Sequence, residues 1–278
     1  MISWQTFGHD RAKNIFDKQL IENSFAHAYL LSGPDGIGKK TLAMEFARKI
    51  LATENLANHP DFQILDVEGE IGAEAAVEFI RSLSLKPFIG AKKVAIINNA
   101  HNLNIRSSNS LLKTLEEPSI STVIVLISGS GKLLPTIVSR CQVFYFHAFT
   151  KSELRDYANC KNINVNQEVL DLTFGRINRL HELTKNKGFL EEQQLLIEKY
   201  RSFDKMAIGE KLLAVSKCAE LEAPQLEKDL LTWMSWQVQN LKQDPKNTTK
   251  LQALSDALEG LKFNQNKKLV LQGLFLKL

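Results

Sequence analysis

At 278 residues, 44% hydrophobic and 24% charged, the chain is long enough for two or three domains and has the make-up of a water-soluble globular protein. Its apolar runs, such as 123–127 and 274–276, are far too short to span a bilayer, and residues 1–10 lack the basic stretch and apolar core of a secretion signal. A net charge of +4 permits nucleic-acid contact without demanding it, while three scattered cysteines (Cys141, Cys160, Cys218) offer neither a disulfide framework nor a zinc module and suit a reducing cytoplasm.

The first half alternates two periodicities. Residues 10–23 place Ala12, Ile15, Phe16 and Leu20 on one helical face. Five short apolar runs then predict buried strands at 27–32, 62–67, 93–98, 122–128 and 143–147. Helical stretches at 39–52, 73–85 and 105–117 lie between them. Regular alternation of this kind predicts an α/β fold, a five-stranded parallel sheet covered by helices on both faces.

After Phe149 the strand pattern stops. Residues 151–159, 165–174 and 178–184 read as helices, and Lys185-Asn186-Lys187-Gly188 reads as a stop. From 191 onward the pattern is helical again. Leu230, Trp233, Val238 and Leu241 read as one stripe, Leu251, Leu254, Leu258 and Leu261 as another, with Trp233 and Trp236 expected in the core. Gln243-Asp244-Pro245-Lys246-Asn247 is the clearest internal breaker. The expected division is an α/β domain over 1–149, a small helical domain over 150–188 and a helical C-terminal domain over 189–278.

Directly after the first predicted strand comes Gly33-Pro34-Asp35-Gly36-Ile37-Gly38-Lys39-Lys40-Thr41, leading into a helix. Glycines in such a loop let backbone N–H groups turn inward around phosphate, and the helix N-terminus adds partial positive charge. Lys39 stands where a lysine reaches the β- and γ-phosphates. The next residue of a complete P-loop is Ser or Thr, whose hydroxyl holds Mg²⁺. Here it is Lys40, a cation with no lone pair to give while protonated. Thr41 lies one position on, turned by about 100° around the helix, and is a poor substitute.

A P-loop ATPase also needs an acidic residue at the end of another strand and a group that orients water. The matching run, Val94 to Ile97, ends in Asn98-Asn99-Ala100-His101. Asn98 and Asn99 are neutral amides that neither counter a metal's charge nor accept a proton from water. His101 can titrate, though a lone histidine at a strand end is more often structural. Together with Lys40, the pair leaves no anionic Mg²⁺ ligand set, so no hydrolysis by this chain alone is expected.

Several further stretches carry a family resemblance. Phe7-Gly8, the run from His27 to Pro34, His59-Pro60-Asp61, the run from Leu111 to Pro118 (Leu-Leu-Lys-Thr-Leu-Glu-Glu-Pro) and Pro135 to Cys141 with its Ser-Arg-Cys ending resemble bacterial clamp-loader subunits of the AAA+ class. The resemblance covers about residues 5–185. It implies an AAA+ P-loop domain, a helical lid and an all-helical collar used for oligomerisation. Motor members of the family carry a complete P-loop, an acidic second motif and commonly a four-cysteine zinc module; this chain has none of them, which points to the non-hydrolysing delta-prime branch. By resemblance, Arg140 is a trans-acting arginine finger for a neighbouring motor subunit's ATP site, with Ser139 and Cys141 positioning it. Read without the family, Arg140 is a surface arginine that caps a helix or pairs with a carboxylate.

The resemblance also places a nucleotide-sensing arginine in the lid, at Arg179 in preference to Arg176, while the segment that normally senses phosphate reads Ser128-Gly129-Ser130, polar but flexible, which implies relaxed demands there. The implied partners are motor (gamma/tau) and delta subunits, the sliding clamp and primer-template DNA, with no membrane. No cofactor is required and no zinc is expected, while weak ATP or ADP binding stays open. Two other readings compete. An active AAA+ ATPase, either the motor subunit or a helicase loader, is opposed by Asn98-Asn99. A small-molecule P-loop kinase would need an arginine-rich substrate lid, which 150–190 lacks.

Overall fold

A computed structural model describes residues 3–66, 73–129, 133–203, 206–239, 247–263 and 265–277. Val67, Ser130, Leu241 and positions 243–246 of the expected breaker lie outside the described residues. The chain forms two compact units, one of Met1–Thr150 with Arg176–Asn178 and one of Lys151–Gly175 with Arg179–Leu278.

The first unit runs α1 (Asp10–Glu22), β1 (Ala28–Ser32), α2 (Lys39–Leu51), β2 (Phe62–Leu65), α3 (Ala73–Ser82), β3 (Lys93–Ile97), a 3-10 turn (Ala100–Asn102), α4 (Ile105–Glu116), β4 (Thr122–Ser128), α5 (Pro135–Val138) and β5 (Gln142–Tyr145). The five strands pair in parallel in the order β2-β3-β4-β1-β5. Register sets Leu30 opposite Leu126, and Leu126 opposite Ile97. That row packs with Ile80 of α3 and with Leu111 and Leu115 of α4 in one apolar core. An aromatic cluster joins two strands to two helices elsewhere in this unit. Phe16 of α1 stacks on Phe46 of α2 at 4.0 Å, and both meet Tyr29 of β1 edge-on; Phe16 also lies against Phe144 of β5. Each fully buried phenylalanine stabilises the fold by about 2–3 kcal/mol. With helices covering the sheet, β1, β3 and β4 need apolar residues at nearly every position, and they have them.

One buried carboxylate ties a loop to the sheet. Asp61, just before β2, is fully buried and accepts N–H bonds from Phe88, Ile89 (2.9 Å) and Gly90 (2.8 Å). Burial pushes its carboxyl towards the neutral acid, but the three donors outweigh burial and hold the group below the usual carboxylate range. The loop before β3 therefore keeps its course although Phe88 and Ile89 point into solvent.

The second unit is helical: α6 (Lys151–Cys160), α7 (Gln167–Leu172), most of α8 (Ile177–Lys185), α9 (Lys187–Phe203), α10 (Ile208–Ala219), α11 (Ala223–Gln239), α12 (Asn247–Lys262) and α13 (Lys267–Lys277). Trp233 is its anchor, stacked on Tyr200 at 4.4 Å among Leu230, Leu254, Leu271 and Phe275. Trp236 packs partly buried beside this core, under the Arg201 guanidinium. Two expectations are corrected. The α11 stripe is Leu226, Leu230, Trp233 and Gln237, whereas Val238 is half exposed, because five residues beyond Trp233 a helix has turned by about 140°. The expected stop at 185–188 narrows to Asn186. Its side chain accepts from Phe189 N at 3.1 Å and so starts α9, which takes up Lys187 and Gly188.

Asp61→Ala would leave three N–H groups without their anion. We expect a loss of about 2 kcal/mol, read as a lowered denaturation midpoint, with unchanged stability counting against this role for the carboxylate.

Candidate functional site

Parallel pairing carries the carboxyl ends of all five strands to one edge of the sheet, and the glycine loop sits there. Gly33 N donates to Ser128 O of β4 at 3.2 Å, and Phe146 N donates to Ser32 O at 2.8 Å. A Cβ at Gly33 would stand 2.3 Å from the Phe146 carbonyl oxygen, so only glycine fits between the two neighbouring strands. Gly38 begins α2 with φ 96°, a left-handed conformation that glycine adopts without strain. Beside it, His9 Nε2 lies 2.8 Å from Ile37 O. Burial lowers the His9 pKa, which leaves a neutral ring that donates from Nε2.

Lys39 is turned inward. Its side chain is 4% exposed, and Nζ lies 2.6 Å from Gly33 O, 2.5 Å from Pro34 O and 3.4 Å from an Asp35 carboxylate oxygen. Burial pulls its pKa down, Asp35 pushes back, and Arg176 adds to the lowering. Asp35 itself lies against the end of β4, where a Cβ on Gly129 would come within 2.4 Å of its carboxylate. His101 holds the same residue through its ring, Nδ1 accepting from Gly129 N at 3.3 Å. The segment 176–178 meets the loop crown through Asn178 N, which donates to Gly36 O at 3.0 Å. The lysine that would reach a phosphate is thus engaged by its own loop in this conformation.

Lys40 carries the second feature. Its ammonium donates to the Asp66 carboxylate, one residue beyond β2, and Asn98 Nδ2 donates to the other Asp66 oxygen at 2.6 Å. The Lys40 bond first, and the Asn98 bond second, hold the Asp66 carboxyl below the usual range. The β2–β3 register, Leu65 opposite Ile97, is what brings Asp66 beside Asn98. Asn99 takes a left-handed turn with φ 54°, and Thr41 is exposed on α2. These residues do not fit Mg²⁺. An ammonium stands at the metal-ligand position, the carboxylate beside it is neutralised by it, and Asn98 spends its N–H on the same acid.

Arg140 lies just beyond the short helix α5. Nη1 donates to Thr136 O at 2.8 Å, and Nη2 donates to Glu116 Oε1 at 2.8 Å, with the arginine side chain 34% exposed. Ser139 Oγ donates to the same Thr136 carbonyl at 3.1 Å. The Cys141 thiol donates to Ile137 O at 3.3 Å and packs against the sheet core. Burial pushes that thiol up to about 11, so it stays protonated and serves as a plug. One flanking side chain fastens the turn and the other anchors it, with the partly exposed arginine between them. Of Arg176 and Arg179, the one beside the glycine loop is Arg176, whose Cβ lies near Gly36. Arg179 Nε donates to Leu172 O at 2.7 Å, its Nη2 donates to Gln193, and its guanidinium lies over Phe174, all within the second unit.

Asp35, Asp66, Glu116 and Asn178 are participants that sequence reasoning missed. Asp66 had a signal, an acid at the end of a strand run, but only register gives it a partner.

With this geometry in hand, a sequence profile described as DNA polymerase III, delta subunit, matches residues 8–150, just over half of the chain. The chain belongs to that family. Relatives named DNA polymerase III subunit delta' place it on the delta-prime side. The one from Pseudomonas aeruginosa is 37% identical over 136 residues, 42% of each chain, and the one from Bacillus subtilis is 27% identical over 219 residues, 72% of this chain and 67% of its own. The matched stretch thus spans less than half of the Pseudomonas relative. A crystal structure of a DNA polymerase III gamma subunit-related protein from Thermotoga maritima has the same fold, with a TM-score of 0.53 at 20% identity, covering 96% of this chain and 97% of that one.

Because the folded pKa of Asp66 is depressed, its pairing with Lys40 stabilises the fold above the ordinary carboxylate pKa and is lost as pH falls through the folded value. Both partners are partly exposed, so we expect Asp66→Asn to cost about 0.5–1 kcal/mol at pH 7. The gap to the unsubstituted chain should close as the buffer is taken to strongly acid pH in parallel urea melts. A gap that persisted in acid would mean that the ion pair is not its source.

Proposed function

We propose that this chain is a non-hydrolysing delta-prime subunit of a DNA polymerase III clamp loader. In this reading it is a stator that lends Arg140 to the ATP site of an adjacent gamma/tau motor subunit while a sliding clamp is loaded onto primed DNA. The observation that carries the reading is the way Arg140 is held, its side chain 34% exposed beyond the end of α5 and both neighbours committed to holding the turn. A guanidinium set against a γ-phosphate offsets charge that develops during transfer, worth roughly 10³–10⁵ in rate in other systems. An arginine paired with a carboxylate also occurs on ordinary protein surfaces. What favours the finger is the Ser-Arg-Cys context together with membership of the family.

Absence of hydrolysis by this chain rests on the same kind of chemistry. Lys40, Asn98 and Asn99 supply no anionic ligand for Mg²⁺, and Lys39 is committed to the carbonyl groups of its own loop. We place the α/β domain over 1–149, the lid over 150–188 and the collar over 189–278, with delta, the clamp and primer-template DNA as further partners. No cofactor and no zinc are required, and any ATP or ADP binding is weak. Contacts to DNA would go mostly to phosphates and weaken with salt.

The test is DNA- and clamp-stimulated ATP turnover of the loader reconstituted with its cognate subunits. We expect Arg140→Ala to lower turnover by at least about tenfold while size-exclusion chromatography shows an intact assembly. Unchanged turnover in the intact assembly would remove the finger assignment.

A further inference from the structure

Arg140 does not stand alone. Glu116 is the last residue of α4, and α4 and α5 pack together in the first unit. Its Oε1 lies 2.8 Å from Arg140 Nη2, while Nη1 is held by Thr136 O at the same distance. The guanidinium is thus fixed from two directions, by a carbonyl of the helix just before it and by a carboxylate of another. An arginine side chain has several rotatable bonds, and two anchors at its tip remove most of that freedom. The two bonds occupy two of its five N–H donors and leave the rest for a partner. The C-terminal end of α4, which carries partial negative charge, is the end that bears Glu116 and favours a cation there.

We propose that Glu116 is a positioning residue for Arg140, orienting the guanidinium before it meets a neighbour's phosphate. The proposal rests on the finger reading above. Arg140 is the group that touches the reacting phosphate, and Glu116 acts through it. Both side chains are partly exposed, at 34% for Arg140 and 52% for Glu116, so the pair adds little to folding stability and its effect belongs to turnover. A misplaced catalytic group slows the chemical step without weakening substrate binding, so kcat falls and KM holds.

The experiment is steady-state ATP turnover of the reconstituted loader carrying Glu116→Ala, Glu116→Asp, Arg140→Ala, or Glu116→Ala with Arg140→Ala. Melting of the isolated chain is followed in parallel. We expect Glu116→Ala to lower kcat about five- to tenfold at unchanged KM and melting temperature. Glu116→Asp should recover part of the loss, and Glu116→Ala should add nothing once Arg140 is gone. If Arg140→Ala slows turnover and Glu116→Ala does not, positioning is overturned and the finger stands. If Glu116→Ala still slows the Arg140→Ala loader, Glu116 acts elsewhere and the proposal falls. If Arg140→Ala has no effect, the finger reading fails and the proposal goes with it.

Discussion

Parallel pairing of β1 between β4 and β5 is the constraint that governs the α/β unit. Strands that lie side by side are far apart in the chain, so each needs a crossover, and all five end at one edge. The residues just past each strand are delivered to that edge: the glycine loop after β1, Asp66 after β2, Asn98 and Asn99 after β3, Gly129 after β4, Phe146 after β5. The apolar residues that fill β1, β3 and β4 build the core and also set the register that decides which of these polar groups meet. Open α/β sheets place their sites at this edge for the same reason.

The positive charges divide into two kinds. Lys39 and Lys40 are absorbed by the fold, the first by loop carbonyls and Asp35, the second by Asp66. Arg140 has partners that fix its direction and leave part of it accessible. At the carboxyl edge of the sheet the two lysines are thus paired within the α/β unit, while Arg140 of the same unit is partly exposed.

Much of this was legible in the sequence. All five strands fall where the apolar runs place them, with ends shifted by at most two residues, because strands buried on both faces leave an unambiguous signature. The glycine loop and the two amides were readable because those residue types have few other uses in that order. Side-chain neighbours were not. Asp66 meets Asn98 across a parallel pair, and Glu116 meets Arg140 across two helices, at sequence separations set by crossovers and not by any period. The surroundings of Arg176 and Arg179 were hidden in the same way, since three residues decide which unit a side chain joins. Val238 was an error of phase, and the stop at 185–188 missed how little chain a helix junction needs when an asparagine caps the second helix. The four-residue helix α5 is too short to show a period at all.

The three cysteines differ in reach. Cys218 is buried in the helical core, and the Cys141 thiol is protonated and engaged with a carbonyl, while Cys160 is exposed at the end of α6. Thiol chemistry on the folded chain therefore has one open address. A maleimide dye directed to Cys160 would report on the helical half of the molecule while leaving the Ser-Arg-Cys turn untouched, so the native sequence already suits single-site fluorescence work.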